Sequence, residues 1–227
     1  MGMKPAPTTE PGAAADYAER VARHVPGLHD LHRMTALLLA ERVPDSVQVL
    51  VLGAGGGMEL RAFAAAQPGW RFDGVDPSPD MITQARDILG PDGGRVTFHQ
   101  GYIDTAPDGP FDGATCLLTL HFLPREERLR TLRALHRRLR PGAPFVMAHH
   151  SFPLEGGQQD LWLMRNAAWL ISGGMSEVQA MAGMTTMKER LPVLPPEEDV
   201  ALVRAAGFSD VQLFYAAFTF KGWIACA

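Results

Sequence analysis

Three alternating glycines, Gly53, Gly55 and Gly57, sit between an apolar run, Val47 to Leu52, and a helical pattern, Met58 to Gln67. Glycines in that position let the backbone approach a ligand closely, and a helix N-terminus offers unpaired N–H groups to a carboxylate or phosphate. Ala54 lies inside the same loop. Asp76 closes the next strand pattern, Arg71 to Val75, about 20 residues on, where a carboxylate accepts both hydroxyls of a ribose. Each feature alone has a plainer reading. The glycines would make any tight strand-to-helix turn, and Asp76 would cap the Pro77-Ser78-Pro79 turn. Together they describe a site for a nucleoside that carries an acidic group. Brändén's rule places such a ligand over the carboxyl ends of parallel strands, which brings in Met81, Tyr102, Ile103 and the segment Leu118 to His121, including Thr119.

Proton transfer has three candidates. His149 and His150 end one strand pattern and His121 follows another, and an unperturbed imidazole titrates near neutral pH. Ordinary strand-end histidines are the competing reading. His24, His29 and His32 flank Pro26-Gly27 without metal-ligand spacing, so they read as surface or lid residues and no metal is expected. Arg125, Arg128, Arg130, Arg133, Arg137, Arg138 and Arg140 form a basic stretch with interleaved leucines, better read as the solvated face of a sheet-covering helix than as a polyanion strip. Trp162, Met164, Trp169, Met175, Met181, Met184 and Met187 suit an apolar acceptor pocket, a homodimer contact or plain packing.

These residues need a scaffold, and the pattern supplies one. Helical patterns at Ala13 to Val25, Leu28 to Arg42, Asp80 to Leu89, Arg125 to Leu139 and Glu197 to Ala206 alternate with strand patterns at Arg95 to Gln100, Asp112 to Leu118 and Pro144 to His149. Such alternation implies βαβ units and a parallel sheet. Asp210 to Ala216 and Phe218 to Ala225 are close enough for an antiparallel hairpin. The expectation is an α/β fold with a doubly wound, mixed seven-stranded sheet. Residues 1–12 read as a polar tail, and 13–227 as one domain with helical cap elements at 13–42 and 155–190.

Composition narrows the function classes. The chain has 227 residues, a net charge of -4, 46% hydrophobic and 20% charged residues, so it buries a real core and has no global pull toward nucleic acid. Cys116 and Cys226 sit in apolar runs and read as buried free thiols of a reducing compartment. No membrane span or signal core is apparent, and the expected location is the cytoplasm.

The run Val49-Leu50-Val51-Leu52-Gly53-Ala54-Gly55-Gly56-Gly57, then Gly74-Val75-Asp76-Pro77-Ser78-Pro79-Asp80-Met81, then Leu139-Arg140-Pro141-Gly142-Ala143 resembles class I S-adenosylmethionine (SAM)-dependent methyltransferases. Within them, Val25-Pro26-Gly27, Leu118-Thr119-Leu120-His121-Phe122-Leu123 and Ala206-Gly207-Phe208 look like the carboxy-SAM synthase and tRNA wobble-uridine methyltransferase branch. The resemblance implies SAM as cofactor, with Gly53, Gly55 and Gly57 around its methionine moiety, Asp76 on the ribose, and Tyr102 and Ile103 beside the adenine. The chain departs from the family at Val51, where an acidic residue is usual, at Tyr102, where an Asp is frequent, and at Leu28, where that branch has an aromatic residue after Pro-Gly. Methyl transfer to a small molecule under the cap is the leading expectation. The alternatives are an enzyme that consumes SAM itself, a wobble-tRNA modifying enzyme and a non-catalytic SAM-binding module.

Overall fold

The computed structural model describes residues 13–227, with side chains from residue 19 onward; the expected tail at 1–12 lies outside the described residues. Two helices, α1 (Ala13–His24) and α2 (Leu28–Ala40), precede the sheet. Then follow β1 (Gln48–Leu52), α3 (Met58–Ala66), β2 (Arg71–Asp76), α4 (Pro79–Leu89), β3 (Val96–Gln100), β4 (Gly113–Leu117), α5 (Arg125–His136) and β5 (Pro144–His150). Two helices, α6 (Gln158–Ser172) and α7 (Glu177–Arg190), are inserted before α8 (Pro196–Ala205), and the hairpin β6 (Ser209–Ala217) and β7 (Phe220–Cys226) completes the order.

The seven strands form one sheet in the order β3-β2-β1-β4-β5-β7-β6. Five are parallel, and β7 runs antiparallel between β5 and β6. The mixed doubly wound sheet expected from the sequence is therefore the fold. Strand periodicity explains why β1 and β5 read as continuous apolar runs: Leu50 and Leu52, with Phe145 and Met147, feed one core, while Val49 and Val51, with Val146 and Ala148, feed the other. Residues of α5 and α8 complete the first core, and residues of α2 and α3 the second.

Local signals set the boundaries. Ser78 caps α4 by accepting from the Met81 N–H at 3.3 Å, and Pro79 opens the helix with its fixed φ. Gly57 adopts φ +68 before α3, and a Cβ there would sit 2.8 Å from the Ala85 Cα of α4. That glycine serves the close packing of two helices. Gly27 turns the chain between α1 and α2 at φ +67, and the Tyr215 hydroxyl donates to the Pro26 carbonyl at 2.5 Å, pinning the turn to the sheet.

The structure corrects the reading of the basic helix. Arg128 is 0% exposed and no part of a solvated face. Its guanidinium donates to Asp199 Oδ1 at 2.5 Å and to the Pro192 and Leu123 carbonyls at 3.0 and 3.3 Å. His149 Nε2 stands 3.1 Å from Asp199 Oδ2, a close contact without hydrogen-bond alignment. This buried cluster joins α5, α8 and β5. Removing one partner leaves an uncompensated buried charge, which costs about 3–5 kcal/mol. Asp199→Asn is therefore expected to lower the urea unfolding free energy by about 3–5 kcal/mol, and the apolar pair Arg128→Met with Asp199→Leu to recover most of it.

Candidate functional site

The strand order reverses between β1 and β4, and the carboxyl ends of these two strands open a crevice. There the Gly53 and Ala54 N–H groups both donate to the Val75 carbonyl, at 2.8 and 3.1 Å, tying the glycine loop to β2. Gly53 has φ +82, and a Cβ on it would lie 1.9 Å from Thr119 Oγ1, so only glycine fits beside the loop after β4. Gly55 is equally constrained: its Cβ would come within 2.5 Å of Asp76 Oδ2. The Asp76 carboxylate accepts from the Gly55 N–H and the Ser78 N–H, both at 2.9 Å. Burial raises the Asp76 pKa above the usual carboxylate value, and these two backbone donors oppose that shift.

A cavity of about 610 Å³ occupies the crevice. Of the residues singled out in the sequence, Gly53, Gly55, Asp76, Pro77, Met81, Tyr102, Ile103, Leu118 and Thr119 line it. Ala54 and Gly57 do not; Ala54 is fully buried and Gly57 faces α4. Tyr102 is 64% exposed, so only part of its ring closes the rim, whereas Ile103 is sealed beneath it.

None of the three candidate bases lines this cavity. His149 faces Asp199 of α8. His150 Nδ1 contacts Thr219 Oγ1 at 2.9 Å, and that hydroxyl donates onward to Asn166 Oδ1 at 3.1 Å, so His150 Nδ1 carries the proton. His121 Nδ1 accepts from the His150 backbone N–H at 3.4 Å. Alternation along β5 sends neighbouring side chains to opposite faces, and both faces are covered. In this geometry His121 and His150 are packing and hydrogen-bonding groups, and His149 packs against Asp199 and Trp223.

The sequence reading missed other wall residues. His32 of α2 is buried and reaches the cavity with Val21 and Leu28, so it is not a surface residue. Burial, and then the His29 charge, lower its pKa to about 4, leaving a neutral imidazole at physiological pH. Met58 and Glu59 enter from the first turn of α3, and Phe122, Leu123, Glu127 and Thr131 from the segment after β4 and from α5. The first turn of α3, whose Met58 and Glu59 line the cavity, has no side-chain cap, so its N–H groups carry no side-chain acceptor. The tryptophans and methionines of α6 and α7 are absent from the wall. Trp162, Met184 and Met187 pack on Phe152, Leu163 and Val193, and the Trp169 Nε1–H donates to the Arg23 carbonyl at 2.9 Å, bracing α1. Among the described residues no cluster could hold a metal ion, and no helix is long and apolar enough to cross a membrane.

A strand-loop-helix with a fixed carboxylate on the next strand, set at the switch point of a 3-2-1-4-5-7-6 sheet, is the architecture of class I SAM-dependent methyltransferases. Residues 49–142 match the family described as "Methyltransferase domain". Among solved structures, the S-adenosylmethionine-dependent methyltransferase SibL is 18% identical with a TM-score of 0.60, covering 94% of this chain and 69% of that one. Magnesium protoporphyrin IX methyltransferase (ChlM) from Synechocystis PCC 6803, with bound SAH, is 17% identical with a TM-score of 0.64, covering 91% and 86%. The carboxy-S-adenosyl-L-methionine synthase of Chromohalobacter salexigens is 26% identical over 93% of this chain and 80% of its own length. The fold is thus that of SAM-dependent methyltransferases, the chain is an enzyme that uses SAM, and its sequence relatives include proteins named carboxy-S-adenosyl-L-methionine synthase. The cavity fits that cofactor: an uncapped helix end suits its carboxylate and a doubly anchored Asp76 suits its ribose.

The buried histidines predict a pH dependence of stability. Burial, followed by the neighbouring His149 charge, lowers His150 to about 3, and burial with His150 and His149 lowers His121 well below its usual value. With folded pKa values depressed, the unfolded chain binds more protons below about pH 6.5. Their stabilisation is full above that pH and is lost as pH falls toward 4 and 3, by up to about 1.4 kcal/mol per pH unit for each group. Urea denaturation at pH 7 and pH 5 is expected to show this drop, and His32→Gln to flatten it.

Proposed function

We propose that this enzyme transfers the methyl group of SAM to a small, uncharged and largely apolar acceptor. The observation that carries this reading is the wall of the cavity. Val21, Leu28, Met58, Leu118, Phe122 and Leu123 form its apolar part, its acids are Glu59, Asp76 and Glu127, and the described residues lining it include no Lys or Arg. An anionic acceptor would find no counter-charge there, whereas an apolar one gains from leaving water.

SAM, when bound, supplies an electrophilic methyl on a sulfonium. The protein's part is to hold, align and dehydrate. Asp76, fixed by two backbone donors, orients a ribose; Gly53 and Gly55 admit close backbone approach; the start of α3 receives a carboxylate. Leu28 and His32 of α2 with Phe122 close the site from the α1–α2 side, which excludes water from the reacting centre. His32, held neutral, accepts or donates a hydrogen bond to an acceptor hydroxyl and is a weak base, so the reading favours acceptors that need little deprotonation. The cap elements at 13–42 and 155–190 divide the work on this proposal: the first touches the acceptor, the second braces it through Trp169.

The relatives named carboxy-S-adenosyl-L-methionine synthase favour a second reading, in which SAM itself is the substrate. A carboxylated sulfonium product needs a cation beside its new carboxylate, and the described wall offers only the neutral His32. A tRNA substrate needs a basic mouth; Arg130, at the edge of α5, is already paired with Glu127 and Asp104.

Purified protein incubated with SAM alone is expected to return it unchanged by mass spectrometry, and to form S-adenosylhomocysteine only when neutral hydroxyl-bearing acceptors are added. A carboxylated or cleaved SAM without acceptor would establish the second reading instead. Asp76→Ala is expected to weaken S-adenosylhomocysteine binding roughly 10- to 100-fold in calorimetry, the loss of hydrogen bonds to a charged group. Unchanged affinity would remove the ribose role.

A further inference from the structure

Glu59 is the buried acid of the site that nothing above explains. It lies in the first turn of α3, is 8% exposed, and lines the cavity. Its Oε1 is sealed from solvent with no hydrogen-bond partner among the described residues. A buried carboxyl without a partner costs free energy and calls for an explanation, of which a ligand's cationic group is one. At Val51, where the family resemblance would place an acid, the side chain is fully buried in the apolar core beneath α2 and α3.

We propose that Glu59 is the cation receptor of the cavity, taking the ammonium of the cofactor's amino-acid end in place of an acid at Val51, and that cofactor binding releases a proton. The assignment rests on the SAM reading. It also fits the neighbouring helix end, because an α-carboxylate on the α3 N–H groups brings an α-ammonium to the first turn of that helix, where Glu59 sits.

The charges around Glu59 set the coupling. Asp76 on β2 is a like charge, and the Cys116 thiol on β4 is pushed far up by burial and then by Glu59 itself, so it stays neutral. His32 on α2 is neutral, and Glu127 on α5 is a further acid of the wall. Arg95 bonds the Ala64 and Gln67 carbonyls, at the opposite end of α3, and Arg86 of α4 lies over the Phe98 ring. With no cation at hand, burial and the Asp76 carboxylate push the Glu59 carboxyl well above the usual carboxylate range. Without a cation beside it, Glu59 therefore favours its protonated form. An arriving ammonium favours the carboxylate, the proton leaves to solvent, and the ion pair forms in a low-dielectric wall. A ligand without the ammonium gains nothing from Glu59, so the residue selects for an intact amino-acid end.

The test is calorimetry near pH 7 in two buffers of different ionisation enthalpy, with S-adenosylhomocysteine and with 5′-methylthioadenosine, which lacks the amino-acid end. Wild type is expected to release close to one proton with the first ligand and none with the second. Glu59→Gln should lose the release and bind S-adenosylhomocysteine at least about tenfold more weakly, with 5′-methylthioadenosine unchanged. Its unfolding midpoint should equal or exceed that of wild type, since Gln keeps the shape of the protonated acid. Proton release that persists in Glu59→Gln, absent release in wild type, or equal weakening of both ligands would overturn the assignment. Wild type that binds 5′-methylthioadenosine but not S-adenosylhomocysteine also overturns it and leaves the nucleoside site standing. If wild type binds neither, the cofactor reading itself fails, and this one with it.

Discussion

One carboxylate organises the site. Asp76 ends β2, and its two oxygens hold two different backbone segments: Gly55 of the loop after β1 and Ser78 of the turn into α4. Hydrogen bonds to a charged acceptor contribute about 1.5–3 kcal/mol each, so the pair fixes the crevice floor before any ligand arrives. The glycines follow from this lock. Gly55 has no room for a Cβ because Asp76 stands against it, and Gly53 has none because Thr119 does. The helix that starts at Met58 is aimed by the same loop, which places Glu59 in the wall. A shift of Asp76 would thus be felt by the loops after β1, β2 and β4 together.

A second lock works beneath α5 and α8. Arg128, Asp199 and His149 come from α5, α8 and β5, and Arg128 also holds the Leu123 carbonyl. Leu123 lines the cavity, so the buried ion pair positions a wall residue without entering the site. The pairing is expensive to bury, and specificity of arrangement is the better account of it than net stability. It sets how the segment from Leu118 to Leu123 leaves β4, with Leu118 itself in the left-handed region at φ 57.

What the sequence made legible was local and periodic. The glycine loop and Asp76 could be read because each sits at a strand end that hydrophobic patterning marks, and strand ends are where a doubly wound sheet opens. The wall contributed from outside those ends could not be read. Arg128 lies in a helix of regularly spaced arginines, and only contact with Asp199, 71 residues away, separates it from its solvated neighbours. His149 and His150 looked alike as strand-end bases, yet the pleat sends one toward α8 and the other toward Thr219, and neither toward the crevice. Glu59 resembles any acid that favours a helix start, a position where the helix dipole alone would justify it. His32 sits in an amphipathic stretch whose buried side is shared by leucines. In each case a third element, distant in sequence, decides the role.

The electrostatics of the cavity then bear on turnover. The ionisable acids of its wall are Glu59, Asp76 and Glu127, and the imidazole among them is neutral. On the proposed reading the reactant enters with an ammonium and a sulfonium, and the demethylated product keeps only the ammonium. Coulomb attraction in a poorly solvated wall is several times stronger than in water, so losing the sulfonium charge weakens the hold on the product relative to the reactant. Methyl transfer to an uncharged acceptor moves that positive charge out of the cofactor, and the acidic wall helps neutralise it as it passes. The same wall would oppose a reaction that builds a carboxylate on the cofactor. On that reading, charge balance in the cavity favours methyl transfer over a reaction that adds a carboxylate to the cofactor.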